Sequence, residues 1–290
     1  MKIIIIGGSG FIGWKLKRKL ELENEVIWTY FKNKSNEKNG IYLDITDRKK
    51  VIEKITKINP DIVIHTSAIT NMDSCELNEK LAEQVNFLGT QNVVEGCKII
   101  KSKIIFISTS AVFDGSKKQY FENDMTSPVN IYGKTKSKGE KVILNSDLQY
   151  LILRIDQPYD WKEKWQHTNS VLRVIDKLSK NEKFHELIDW YNCPTYMPNI
   201  VDAVDKLISN NKNGIYHLVG SDFLNRYQIA QNVAKIFNLD EKLLIKTCSN
   251  KLRISAKRSN TKLNNQKICR ETGIKMDGVL NGLRKMLREK

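Results

Sequence analysis

Tyr132 and Lys136 stand four residues apart in Tyr132-Gly133-Lys134-Thr135-Lys136, a spacing that places both side chains on one face of a helix. A phenol with its ordinary pKa of about 10 is a poor acid near neutrality. A neighbouring ammonium favours the phenolate and lowers that value, so Tyr132 is expected to give a proton to a carbonyl oxygen. The Lys136 ammonium has a second use: it can hydrogen-bond the ribose hydroxyls of a bound nucleotide and hold a hydride donor in place. Upstream, the apolar run Ile104–Ser108 leads into Ser108-Thr109-Ser110. That puts the Thr109 hydroxyl where the C-terminal end of a parallel strand meets a ligand crevice, positioned to hydrogen-bond and polarise the same carbonyl. Tyr-x-x-x-Lys alone recurs by chance in lysine-rich chains and describes a surface helix pair equally well. The upstream hydroxyl is what favours chemistry.

A second constellation is Gly7-Gly8-Ser9-Gly10-Phe11-Ile12-Gly13, directly after the β-branched run Ile3 to Ile6. Glycines permit a tight turn and let backbone N–H groups approach a pyrophosphate, which then sits at the positive end of the following helix. Gly7, Gly10 and Gly13 give the spacing G-x-x-G-x-x-G. About 20 residues further on, an NAD site usually presents an Asp or Glu to the adenosine ribose. Thr29-Tyr30-Phe31-Lys32-Asn33-Lys34 has no carboxylate and two lysines, which favours a 2′-phosphate and therefore NADPH, with Lys32 in the site and NADH as the alternative. Two solvated lysines are the plainer reading of the same residues.

These residues need a frame. Strand-like runs at Lys2–Ile6, Glu25–Tyr30, Gly40–Leu43, Asp61–His65, Lys103–Ser108 and Tyr150–Leu153 alternate with amphipathic stretches at Trp14–Leu22, Lys49–Ile58 and Glu79–Cys97. That alternation predicts βαβ units and a doubly wound parallel sheet, a Rossmann-type α/β fold. After Arg154 the rhythm changes, with helices expected over Asn169–Ser179, Arg226–Phe237 and Gly278–Arg288 and a returning strand over Asn213–Val219. Residues 1–154 are expected to bind the dinucleotide. Residues 155–290 are expected to form mainly a smaller substrate lobe, with segments at about 185–217 rejoining the first domain.

Composition narrows the partners. Hydrophobic content of 40% and charged content of 28% fit a globular chain, and no apolar run approaches the roughly 20 residues of a membrane helix. The Ile3–Ile6 run reads as a buried strand and lacks a cleavage-site pattern. Five cysteines, an odd number with no C-x-x-C pair, fit a reducing cytoplasm in a chain too long to need disulfide staples. No metal is expected. The formal charge of +15 favours anionic ligands. The lysines, however, are dispersed among Asn and Ile without a recognised binding motif, so nucleic acid is not the expected partner.

The chain resembles the dTDP-4-dehydrorhamnose reductase branch of the extended short-chain dehydrogenases/reductases. Besides the glycine spacing, the resemblance rests on Ser108-Thr109-Ser110-Ala111-Val112-Phe113-Asp114-Gly115, on Asn130-Ile131-Tyr132-Gly133-Lys134-Thr135-Lys136 with Gly139-Glu140, and on Leu153-Arg154. Cys193-Pro194-Thr195, Gly214-Ile215-Tyr216-His217-Leu218 and Ala256-Lys257-Arg258 with Leu263 and Lys267 extend it nearly end to end. It implies an NADPH-dependent reductase of a 4-keto-6-deoxy sugar nucleotide, compatible with a homodimer. Thr109, Tyr132 and Lys136 would be its catalytic set, and Phe11, Ile12, Asp44, Ile45, Ser67, Ala68 and Ile69 would line the cofactor. Asp44 would face the adenine, although a helix N-cap explains it nearly as well. Asn71, Met72, Asp73 and Glu76 would fall in a substrate-side loop, where an exposed polar turn is the alternative.

Two departures from the family pattern stand out. Ser110-Ala111 replaces the Asp-Tyr that usually follows the threonine, and Gln157 stands where an aromatic side chain would stack on substrate. Related 4,6-dehydratases carry Asp-Glu just after the threonine, and neither carboxylate is present at these positions. The absent acid after the second strand also disfavours an epimerase that retains NAD. A non-catalytic alternative is an NADP-binding regulatory subunit resembling the methionine adenosyltransferase beta subunit.

Overall fold

Four consecutive isoleucines build the centre of the molecule. In the computed structural model, which describes residues 1–33, 35, 37 and 39–289, they lie in β1 (Lys2–Ile6). Side chains alternate across a strand, so Ile3 and Ile5 enter one apolar layer while Ile4 and Ile6 enter the other. A strand covered on both faces must be apolar throughout, which is why no polar alternation shows in this run.

The chain then continues through α1 (Phe11–Leu20), β2 (Glu25–Tyr30), β3 (Ile41–Tyr42), α2 (Arg48–Ile58) and β4 (Ile62–His65). Two short helices, α3 (Met72–Leu77) and α4 (Glu79–Ala82), lead through a π-helical turn at Glu83–Leu88 into α5 (Gly89–Ile100). Next come β5 (Lys103–Thr109), α6 (Ile131–Leu144) and β6 (Tyr150–Ile155). Beyond them lie β7 (Pro158–Tyr159), α7 (Ser170–Ser179), β8 (Phe184–Leu187), β9 (Tyr191–Asn192), β10 (Thr195–Tyr196), α8 (Met197–Ser209) and β11 (Gly214–Leu218). The remainder is β12 (Leu224–Asn225), α9 (Arg226–Ile236), β13 (Leu244–Thr247), α10 (Gln266–Thr272) and α11 (Val279–Arg288).

Seven of these strands form one parallel sheet in the order β11-β6-β5-β4-β1-β2-β3. The strand order reverses between β1 and β4, and at such a switch point the loops leaving the two strands diverge and open a crevice at their C-terminal ends. Helices α1, α8 and α10 cover one face, and α2, α5 and the end of α6 cover the other. The expected fold class is therefore observed, with β11 returning to the sheet edge beside β6.

A separate apolar cluster joins α7, α9, β13 and α11 with Tyr159 and Tyr196. Around it lie three two-stranded pairings, β7 with β10, β8 with β13 and β9 with β12. The five cysteines are free thiols, three of them buried. Among the described residues no helix is long and apolar enough to cross a membrane.

Candidate active site

The glycine loop is built by close approach. Gly7 has φ +84°, and a Cβ added there would lie 2.5 Å from Ser67 Oγ and 2.9 Å from Ser67 N. An added Cβ at Gly13 would lie 2.5 Å from the Gly7 carbonyl oxygen and 2.8 Å from Gly8 Cα. Bare backbone at both positions brings the start of α1 and the turn after β4 against the end of β1. At Gly10 an added Cβ would meet only the Gly7 carbonyl oxygen, at 3.2 Å. Gly10 is also the N-cap of α1 and offers no side chain to it, and the first turn of that helix holds no acid. The unpaired N–H groups of a helix start are a natural seat for an anion, so this cradle fits the pyrophosphate of a dinucleotide.

Other elements secure the loop. Gly7 N donates to Thr29 Oγ1 at 3.1 Å, tying it to the end of β2. From the second half of the chain, Trp165 Nε1 donates to the Ser9 carbonyl, and Gln166 Nε2 donates to the carbonyls of Ser9 and Gly10, each at 3.2 Å. Phe11 and Ile12 are half-buried against the α1 layer. Ser67, Ala68 and Ile69 form the half-exposed turn after β4, across the crevice from the glycines. Ile45 is buried, whereas Asp44 is partly exposed and accepts from Thr46 N (2.9 Å) and Thr46 Oγ1 (2.7 Å). Asp47, not Asp44, caps α2. Lys32 is exposed, its ammonium 5.8 Å from the Phe31 ring. Lys34 lies outside the described residues.

Thr109 ends β5, and its Oγ1 accepts from Ala111 N at 3.1 Å. Thr109 lies beside Tyr132 and counters the rise of its phenol. Tyr132 and Lys136 lie on α6, which Asn130 caps by accepting from Gly133 N at 2.8 Å. Below them, Glu140 receives Arg154 Nε at 3.0 Å and Arg154 Nη2 at 2.8 Å, and also accepts from Ser108. That buried pair locks α6 onto β5 and β6.

The electrostatics correct one expectation. The phenol of Tyr132 is not lowered: burial pushes it up to about 12, against the opposing influence of Thr109. Burial also brings Lys136 down to about 7, opposed by Glu140, and its ammonium lies 3.8 Å from the centre of the Phe106 ring. Removing water disfavours the charged form of both groups, so the site holds a neutral phenol and a lysine poised near neutrality. Neutral phenol is the form that can donate a proton.

Asn86 joins the two halves of the site. Buried on the π-helical turn, it accepts from Ile69 N at 2.8 Å, donates to the Ile69 carbonyl at 3.0 Å, and donates to Thr135 Oγ1 at 3.2 Å. It therefore clamps the turn after β4 onto α6. Sequence reasoning missed it, although an Asn between the apolar Val85 and Phe87 was the available signal. π-Helical turns inside helices frequently mark functional sites.

Asp73 and Gln157 meet a different group of residues. Asp73 accepts from Ala256 N at 2.9 Å and from Arg258 Nη2 at 2.5 Å. Gln157, at φ +40°, accepts from Arg226 Nη1 at 3.0 Å. Both guanidinium groups lie against Trp190, Arg226 at 5.6 Å and Arg258 at 5.1 Å from its ring centre. Trp190 and Arg226 had no marker in the sequence as site residues.

The model of the RmlD substrate binding domain family matches residues 1–290. The chain belongs to that family. Among its relatives, the dTDP-4-dehydrorhamnose reductase of Aggregatibacter actinomycetemcomitans is 30% identical over 79% of this chain and 76% of its own length. The methionine adenosyltransferase 2 subunit beta of Rattus norvegicus is 26% identical over 82% of this chain and 72% of its own. The crystal structure of dTDP-4-dehydrorhamnose reductase from Bacillus anthracis, in complex with NADP, superposes with a TM-score of 0.90 at 25% identity, covering 100% of this chain and 99% of that one. In this chain Thr109 ends β5, and Tyr132 and Lys136 lie one turn apart, buried, on α6.

Proposed function

We propose that this chain is an NADPH-dependent reductase of a 4-keto-6-deoxy sugar nucleotide, acting on a substrate like that of the dTDP-4-dehydrorhamnose reductases it resembles. The observation that carries this reading is the buried Tyr132 phenol on α6, kept neutral by burial, with Thr109 at the end of β5 and Lys136 one helical turn further on. Residues 1–154 supply the nucleotide site, and the region around Trp190 supplies the sugar-nucleotide site.

When bound, NADPH supplies a hydride to the carbonyl carbon. Thr109 orients the carbonyl oxygen, and Tyr132 passes its hydroxyl proton to that oxygen as negative charge develops there. Lys136 holds ribose hydroxyls and, in its ammonium form, stabilises the phenolate left behind. Gly7, Gly10 and Gly13, with the start of α1, hold the pyrophosphate. Lys32 favours the 2′-phosphate in the absence of an acid after β2.

Oxidation of NADPH in the presence of a panel of 4-keto-6-deoxy sugar nucleotides tests the proposal, with dTDP-4-dehydrorhamnose as the first member. Turnover supports it. Tight NADPH binding without turnover of any member, together with co-purification of a catalytic partner, replaces it with a regulatory-subunit role, the reading favoured by the similarity to the rat beta subunit.

A further inference from the structure

A loop from the second half of the chain grips the glycine cradle. It runs from the end of β7 to the start of α7, and its two ends are tied together, Asn169 Nδ2 donating to the Asp160 carbonyl at 2.7 Å. Trp161 roots it in the C-terminal cluster, where Nε1 donates to the Met286 carbonyl of α11 at 2.7 Å. Toward the cradle, Lys15 of α1 pairs with the Asp160 carboxylate at 2.5 Å, and the Trp165 ring meets Trp14 of α1 edge to face at 5.2 Å.

Within this loop Gln166 is buried. Its Oε1 accepts from Glu163 N at 3.0 Å, which fixes the carboxamide: turned over, its NH2 would face an N–H and its oxygen two carbonyls. Nε2 is therefore the atom that donates to the Ser9 and Gly10 carbonyls, and Trp165 Nε1 joins it on Ser9. A peptide group is planar, so a hold on its carbonyl oxygen sets where its N–H points. The N–H paired with the Ser9 carbonyl belongs to Gly10 and is already given to the Gly7 carbonyl at 3.0 Å. The N–H paired with the Gly10 carbonyl belongs to Phe11, the first residue of α1, and a helix offers its first N–H no partner of its own. Gln166 and Trp14 N, the latter at 2.9 Å, both hold that carbonyl.

We infer that Gln166 is a positioning residue for the dinucleotide, aiming the Phe11 N–H at the pyrophosphate from a loop outside residues 1–154. The inference rests on the proposed seat of the pyrophosphate at the start of α1. A carboxamide suits the task, because it supplies two N–H donors without placing a negative charge beside an anion.

Two probes separate this role from general packing. NADPH carries the pyrophosphate, whereas adenosine 2′-monophosphate lacks it. Gln166→Met keeps the length of the side chain and removes both donors. It should weaken NADPH binding by about tenfold or more, the net worth of the hydrogen bonds withdrawn, and leave the affinity for adenosine 2′-monophosphate unchanged. Gln166→Ala, which adds no bulk to the loop, should show the same split and replaces the methionine variant if that one fails to fold. NADPH is titrated by fluorescence and the monophosphate by chemical-shift changes in the intact chain, with circular dichroism as the check on folding. Unchanged NADPH affinity in a folded variant overturns the inference. So does an equal loss for both probes, which marks a general loosening of the cradle. A wild type that binds no NADPH overturns the seat of the pyrophosphate and the inference with it, an outcome seen before any variant is made.

Discussion

A Cβ added to Gly133 would lie 2.0 Å from the Ala111 carbonyl oxygen, so α6 packs backbone to backbone on the turn that follows Thr109. This contact seats the start of α6, which carries Tyr132, beside the end of β5, which carries Thr109. Gly133→Ala must push the helix away from that turn. Overpacking typically costs about 1–3 kcal/mol, and urea unfolding should show at least the lower figure. Reductase activity should fall further than stability does, since the displaced groups are the ones proposed to react. A variant of unchanged stability and rate would show that the contact is not limiting.

Tyr132→Phe removes one hydroxyl and leaves the ring packed. Cofactor affinity should stay nearly constant while the rate of carbonyl reduction drops by on the order of 10²–10⁴, the usual worth of a positioned general acid. Lys136→Met should impair both quantities, because that lysine is assigned to the ribose as well as to the phenolate. Stopped-flow hydride transfer beside fluorescence titration separates the two patterns. A fully active Tyr132→Phe protein would remove the catalytic assignment.

Gly10→Val should weaken NADPH binding strongly without unfolding the chain. The added Cβ meets only one protein atom, at 3.2 Å, so the branched side chain occupies the space assigned to pyrophosphate rather than the core. Circular dichroism checks the fold and titration reads the affinity. Unchanged affinity in a folded variant would place the phosphate site elsewhere.

Wild-type protein should bind NADPH more tightly than NADH, and Lys32→Glu should narrow or reverse the difference by repelling a 2′-phosphate. The two titrations need a common ionic strength, because interactions of exposed charges are screened by salt. Tighter binding of NADH by the wild type would sink the cofactor assignment.

Acid should destabilise the chain through two buried histidines. Burial lowers His65 and His217 from 6.5 to about 3, so between those values the unfolded chain binds protons that the folded one does not. Their contribution to stability is complete above 6.5 and is lost as pH falls toward 3. Urea unfolding across this range should show the loss, and His217→Gln should reduce the slope by about one proton. An unchanged slope would mean that His217 is protonated in the folded state.

The sheet and the two main constellations were legible in the sequence because each depends on local chemistry. Buried parallel strands must be apolar on both faces, glycine spacing reports where backbone must approach backbone, and a four-residue separation fixes a shared helix face. The identities of Thr109, Tyr132, Lys136 and the Gly7–Gly13 loop followed from those rules. The electrostatic state of the site did not. From spacing alone, Lys136 should acidify Tyr132. Tertiary packing excludes water from both, and desolvation then raises the phenol and lowers the lysine. Asn86, Gln166 and Trp190 were equally silent in sequence, since their partners lie 17, 156 and 36 residues or more away in the chain. Local pattern determined which groups the chain carries to the edge of its sheet. The folded structure decided which of them lose their water, and charge in a buried site depends on that loss more than on the neighbour in sequence.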